Sequence, residues 1–133
     1  MMRCGLSIIL ATVITSCISH QELSMTGNDR DDHGCIPSSG YQWSKLTQKC
    51  LRAFELEIQL NSVAAGTKYS AGMLLSADKL IAEVFLKEGV FLFEKQTDTS
   101  YYSDADGMML TLELMNGVWC LSSEGTILYQ QYQ

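Results

Sequence analysis

Histidine is scarce in this chain, which holds only His20 and His33 among its 133 residues. A Ser-His-Asp relay or a zinc site needs an imidazole beside its partners. Because His20 lies in a polar stretch, any such site would rest on His33 alone. Basic residues are also few, nine against 15 acidic ones, for a formal charge of −6. The Lys and Arg clusters that neutralise phosphates are missing, which excludes nucleic acid as a partner. The acidic balance suits a basic protein instead, since complementary charge speeds encounter and disfavours wrong partners. The apolar run at 6–14 falls short of the about 20 residues that a membrane-spanning helix requires.

What that run does resemble is a leader. Arg3, the apolar stretch and the small residues that follow make 1–16 a secretion signal. Ile14-Thr15-Ser16-Cys17 resembles the bacterial lipobox, in which an apolar residue and two small ones precede a cysteine that is acylated and becomes the first residue. The resemblance implies that Cys17 is the lipidation site and that a bilayer holds the protein through acyl chains, at about 0.8 kcal/mol per buried CH₂. Ile18 follows where an aspartate would retain a lipoprotein in the inner membrane, so the implied address is the outer membrane, periplasmic or surface-facing. Cys4 falls in the removed leader, and loss of Arg3 takes the formal charge from −6 to −7. Residues 17–32 are polar and read as a lipidated tether. Residues 33–133 then form a single domain of about 100 residues, enough for one core.

The stretch 72–131 reads as a run of hairpins. Met108, Leu110, Leu112 and Leu114 alternate with Met109, Thr111 and Glu113, the period of a half-buried strand. Asn116-Gly117 follows as a hairpin turn, Val118-Trp119-Cys120-Leu121-Ser122 runs back, Glu124-Gly125 turns again, and residues 126–131 leave as the last strand. Upstream, Met73-Leu74-Leu75-Ser76, a turn at Ala77-Asp78-Lys79, a strand at 80–86, a turn at Lys87-Glu88-Gly89 and a strand at 90–94 make two hairpins sharing their middle strand. Gly89 interrupts any helix there, and Val84, Phe85, Val90, Phe91 and Phe93 favour a pleated surface.

In an exported chain, Cys35 and Cys50 are expected to form a disulfide, and closing a loop of that size contributes about 3 kcal/mol in the chain-entropy model. Cys120 is then left over as a thiol within a strand, although a bridge from Cys120 to Cys35 or Cys50 stays open, because three cysteines do not fix their own connectivity. Asp32-His33-Gly34-Cys35, Gly40-Tyr41-Gln42-Trp43 and Lys49-Cys50 resemble a small bacterial module with no assigned activity, in which a further cysteine often follows the tryptophan where this chain has Ser44. Residues 41–44 and 49–52 are expected to be the arms of a hairpin around Lys45-Leu46-Thr47-Gln48, with Trp43 plugging one end of the core.

Chemistry is hard to assemble. Asp29, Asp31 and Gly34 imitate the start of a calcium loop, yet the twelfth position is Gly40 and not a glutamate. His33 reads as a hydrogen-bonded structural histidine. Asp104 and Asp106 sit in a loop-and-turn sequence, and the neighbours of Cys120, Trp119 and Leu121, offer no base. No catalytic residue, metal or cofactor is expected, and the protein reads as a non-enzyme.

A second resemblance covers 72–121: the order of a Ser76-Ala77-Asp78-Lys79 turn, an Ala82-Glu83-Val84-Phe85-Leu86 strand, an apolar strand at 90–93, a tyrosine-bearing loop and a closing tryptophan strand is similar to the membrane-bound inhibitors of c-type lysozyme. Those are lipoproteins with a small antiparallel β-barrel and a disulfide. The resemblance implies that a loop enters the lysozyme cleft. Here that loop is Asp98-Thr99-Ser100-Tyr101-Tyr102-Ser103-Asp104, without the family's Ser-Gly pair, and Ser100, Tyr101, Tyr102 and Asp104 become the candidate partner-binding residues. The expectation is an all-β domain of about eight antiparallel strands, a small barrel or strongly curved sheet. A disulfide-stapled segment at 33–52 precedes a β meander at 56–133. The functional expectation is a noncatalytic cell-envelope lipoprotein that binds a protein partner, such as a basic c-type lysozyme. Its alternatives are a structural or assembly protein of the envelope and a carrier of a small apolar ligand, the last disfavoured by the bulky side chains on the strand faces.

Overall fold

The computed structural model describes residues 29–67 and 69–132. The expected leader, Cys17 and the first part of the expected tether lie outside the described residues. A two-stranded sheet comes first, β1 (Tyr41–Ser44) and β2 (Lys49–Arg52). Eight strands follow: β3 (Ile58–Ser62), β4 (Ser70–Leu75), β5 (Ile81–Leu86), β6 (Gly89–Thr97), β7 (Ser100–Ser103), β8 (Leu110–Met115), β9 (Val118–Ser123) and β10 (Thr126–Gln131). They form one closed antiparallel barrel in chain order, shut where β10 pairs with β3 through Gln130 and Asn61. Closure leaves no free edge strand in the barrel.

Local chemistry sets the turns. Asn116 and Gly117 both have positive φ, 52° and 79°, the left-handed pair that lets β8 and β9 twist back on each other. Glu124 and Gly125 repeat the arrangement between β9 and β10. In the β4–β5 turn Asp78 accepts hydrogen bonds from the Ser76 hydroxyl (2.6 Å) and the Leu80 amide (3.0 Å), a side chain closing its own turn.

Alternation then fills the interior. Met73 from β4, Ala82, Val84 and Leu86 from β5, Phe91 and Phe93 from β6, Tyr101 from β7, Leu110 and Leu112 from β8 and Leu121 from β9 form one buried cluster. Outward residues of β8 behave as the period requires, with Glu113 and Met115 exposed. β5 does not: from Ala82 to Leu86 every residue is buried. Its outward Glu83 and Phe85 are fully covered and lie outside the interior cluster, because the N-terminal segment packs on that wall.

Two expectations are corrected. Ser100 to Ser103 form β7 and not a loop, since Ser100, Tyr101, Tyr102 and Ser103 pair in register with Glu113, Leu112, Thr111 and Leu110. β6 also runs on to Thr97, so the connection shrinks to a turn at Asp98 and Thr99. Trp43 does not plug the core either. It lies half-buried on the side of β1 away from the barrel, while the Tyr101 ring packs inside and donates its hydroxyl to the Lys79 carbonyl at 2.7 Å, closing the barrel end at the β4–β5 turn.

Candidate functional site

The N-terminal segment is built around Asp31 and the disulfide. One Asp31 carboxylate oxygen accepts the amides of His33 (2.9 Å) and Cys35 (2.8 Å), while the Asp31 amide donates to the Cys35 carbonyl at 2.8 Å. Asp29 takes the Ser38 hydroxyl at 2.8 Å, which holds its carboxyl below the usual carboxylate range. The aspartates that imitate a calcium loop are thus engaged in shaping the chain. Cys35 and Cys50 are bonded, with Cα atoms 5.5 Å apart, and Cys120 is a buried free thiol. The expected hairpin is present, with Trp43 opposite Cys50 and Ser44 opposite Lys49. The exposed His33 differs from its expectation, for its ring is stacked on Trp43 at 4.4 Å with the planes 2° apart.

Alternation gives β1 two jobs. Gln42 and Ser44 face the barrel: Gln42 donates to the Leu86 carbonyl at 2.8 Å, and the Ser44 hydroxyl donates to Glu83 Oε1 at 2.5 Å. The Lys45 amide donates to Glu83 Oε2 at 2.7 Å, so a carboxylate with no solvent exposure has both oxygens engaged. Glu83 is the residue that reading by period alone overlooks. The available signal is that it shares its side of β5 with Phe85, and a large apolar side chain on the solvent side implies a cover. Gly72, opposite Phe85 on β4, admits that cover, since a Cβ there would sit 2.6 Å from the Ala53 carbonyl oxygen.

Beyond the latch, the chain presents aromatic rings. Arg52 lies with its guanidinium 4.8 Å from the centre of the Tyr41 ring and 5.1 Å from that of Phe54, and it is ion-paired with Glu55. Gly40 gives the Phe54 ring its seat, a Cβ there lying 3.1 Å from Phe54 Cε1. Phe54 nonetheless stays 58% exposed. Between this stack and the barrel rim is a cleft of about 230 Å³ lined by Tyr41, Gln42, Phe54, Tyr69, Ser70 and Lys87, with Pro37, Gly40 and Ala53 completing its wall.

The candidate residues of β7 are not brought together in one loop. Tyr101 and Ser103 are buried, Ser100 and Tyr102 are half-buried on the outer wall, and Asp104 is exposed beyond the strand end. At about 3.3 Å per residue, Ser100 and Asp104 lie about 13 Å apart along the wall. Around Tyr102 stand exposed acids: Glu94 pairs with it across β6, and Glu113 sits opposite Ser100 on β8. Asp98 is bridged to Lys95 at 3.2 Å. Among the described residues no group of three or more His, Cys, Asp or Glu side chains converges as a metal site would require. Comparison with protein-family models, with curated proteins and with solved structures finds no match.

Proposed function

We propose that this protein is a noncatalytic lipoprotein of the cell envelope, anchored through Cys17, which binds a basic protein partner on the outer wall formed by β6, β7 and β8. The observation that supports this reading is the setting of Tyr102, a half-buried ring between Glu94 and Thr111 on a wall that also carries exposed Glu113. An aromatic anchor with carboxylates on the two neighbouring strands favours a partner of the opposite sign. The interior cluster of Phe, Leu and Met side chains favours an outer-surface role over that of a carrier. A c-type lysozyme, basic and found where envelopes are attacked, is the partner to try first. Binding is rigid and strand-borne in this reading, because the loop that the resemblance implied is a strand here.

The experiment is inhibition and direct binding of a c-type lysozyme by the full-length protein in detergent, beside Tyr102→Ala and Glu94→Lys. Tight association lost in both variants supports the proposal and locates the face. No association at micromolar protein, with the fold intact by circular dichroism, removes lysozyme as partner.

A further inference from the structure

Away from that acidic wall, the cleft between the stapled segment and the barrel rim has the properties of a small-ligand site. Its aromatic walls are fixed: Tyr41 by its strand and by Arg52, Phe54 by Gly40 and Arg52. A large aromatic held in place while more than half exposed, rather than folded down onto the barrel, leaves apolar surface for something to cover. Polar groups interleave with the rings, namely the Ser70 hydroxyl, which donates to Asn61 Oδ1 at 3.1 Å and keeps its lone pairs to accept, and the Gln42 amide, whose Nε2 is committed to Leu86 and whose oxygen remains to accept. Of the nearby cations, Arg52 is paired with Glu55, while Lys87 lines the cleft and adds an ammonium donor to it.

These features narrow the occupant. An acyl chain would strand the polar groups among its methylenes. A folded protein needs about 800 Å² on each side of a stable interface, far more than this cleft offers. A saccharide ring fits all of it, with an apolar C–H face for the aromatic walls and hydroxyls for the amide and hydroxyl groups. We infer that the cleft lined by Tyr41, Phe54, Tyr69, Gln42, Ser70 and Lys87 is a binding site for a saccharide, a unit of a glycan chain. The site is independent of the partner-binding wall around Tyr102, and either can be absent without the other.

The test is a titration of the isotopically labelled full-length chain, in a sugar-free zwitterionic detergent, with tetramers of N-acetylglucosamine, β-linked glucose and α-linked glucose, each followed by amide chemical shifts. The expected result is that at least one tetramer shifts the amides of Tyr41, Gln42, Phe54, Ser70 and Lys87 and spares Tyr102. Phe54→Ala, a change at an exposed ring, then weakens that binding by about tenfold, while Tyr102→Ala leaves it unchanged. Absence of shifts with all tetramers at millimolar concentration overturns the inference. So do shifts that persist undiminished in Phe54→Ala, and so does selective binding at these amides of a proline-rich peptide in place of every sugar.

Discussion

The wall at β5 and the wall at β8 to β10 are built by the same alternation, yet they bury different fractions of their residues. β8 is covered on one side, so Leu110 and Leu112 are buried and Glu113 and Met115 are not. β5 is covered on both, so a carboxylate and a phenylalanine that period two assigns to solvent are as buried as the valine between them. The inner side is held by apolar packing, which needs only matching volumes. The outer side is held by Ser44 and Lys45 on Glu83, by Gln42 on the Leu86 carbonyl, and by the space left at Gly72, each dependent on one partner in one position. One wall thus has a general cohesion and a specific one, back to back.

The sharpest way to break that contrast is to empty each side in turn. Phe93→Ala, inside the barrel, is expected to lower unfolding free energy by about 3–5 kcal/mol in denaturant titration. Phe85→Ala, equally buried but beneath the stapled segment, is expected to cost less, since that segment can settle into the gap. Equal losses would mean that the segment and the barrel are one indivisible core.

Next in size, replacing both Cys35 and Cys50 by Ala is expected to remove about 3 kcal/mol. Hydrogen exchange should place that loss in β1 and β2, with β8 and β9 still protected. Protection lost uniformly would show that the barrel leans on its cover.

Ser44→Ala leaves a buried carboxylate short of one donor, and a cost of about 1–3 kcal/mol is expected from denaturant titration. Faster amide exchange in β1 than in β6 would locate the loosening at the latch. The smallest effect is at Asp29. Its carboxyl is held low by the Ser38 hydroxyl in the folded protein, so its contribution is present above the unfolded value and is lost as pH falls through the folded one. An NMR titration should find Asp29 protonating below an ordinary aspartate, and Ser38→Ala should bring it back up.

Much of the barrel was legible because its signals are local. Asn116-Gly117 and Glu124-Gly125 carry turn chemistry in two residues, and the Leu110, Leu112 alternation needs no knowledge of what lies opposite. The candidate site was less so. Ser100 to Ser103 looked like a polar, tyrosine-bearing loop, and its strand character depends on β8 lying alongside, with partners as far on as Glu113. Trp43 looked like a plug because tryptophan is large and apolar, but β1 has two sides, and Gln42 and Ser44 took the one facing the barrel.

The sequence by itself determined the antiparallel hairpins and the apolar interior, because turn residues and period-two alternation act over short stretches of chain, whereas the choice of Cys50 over Cys120 as the partner of Cys35 was settled in the folded structure. Only the tertiary structure decided that the barrel closes, that Glu83 is buried, that Tyr101 points inward and that Tyr41, Arg52 and Phe54 stack over a cleft. Each of those depends on which surfaces meet, and a short-range pattern specifies which side of a strand is apolar without specifying what will cover the other.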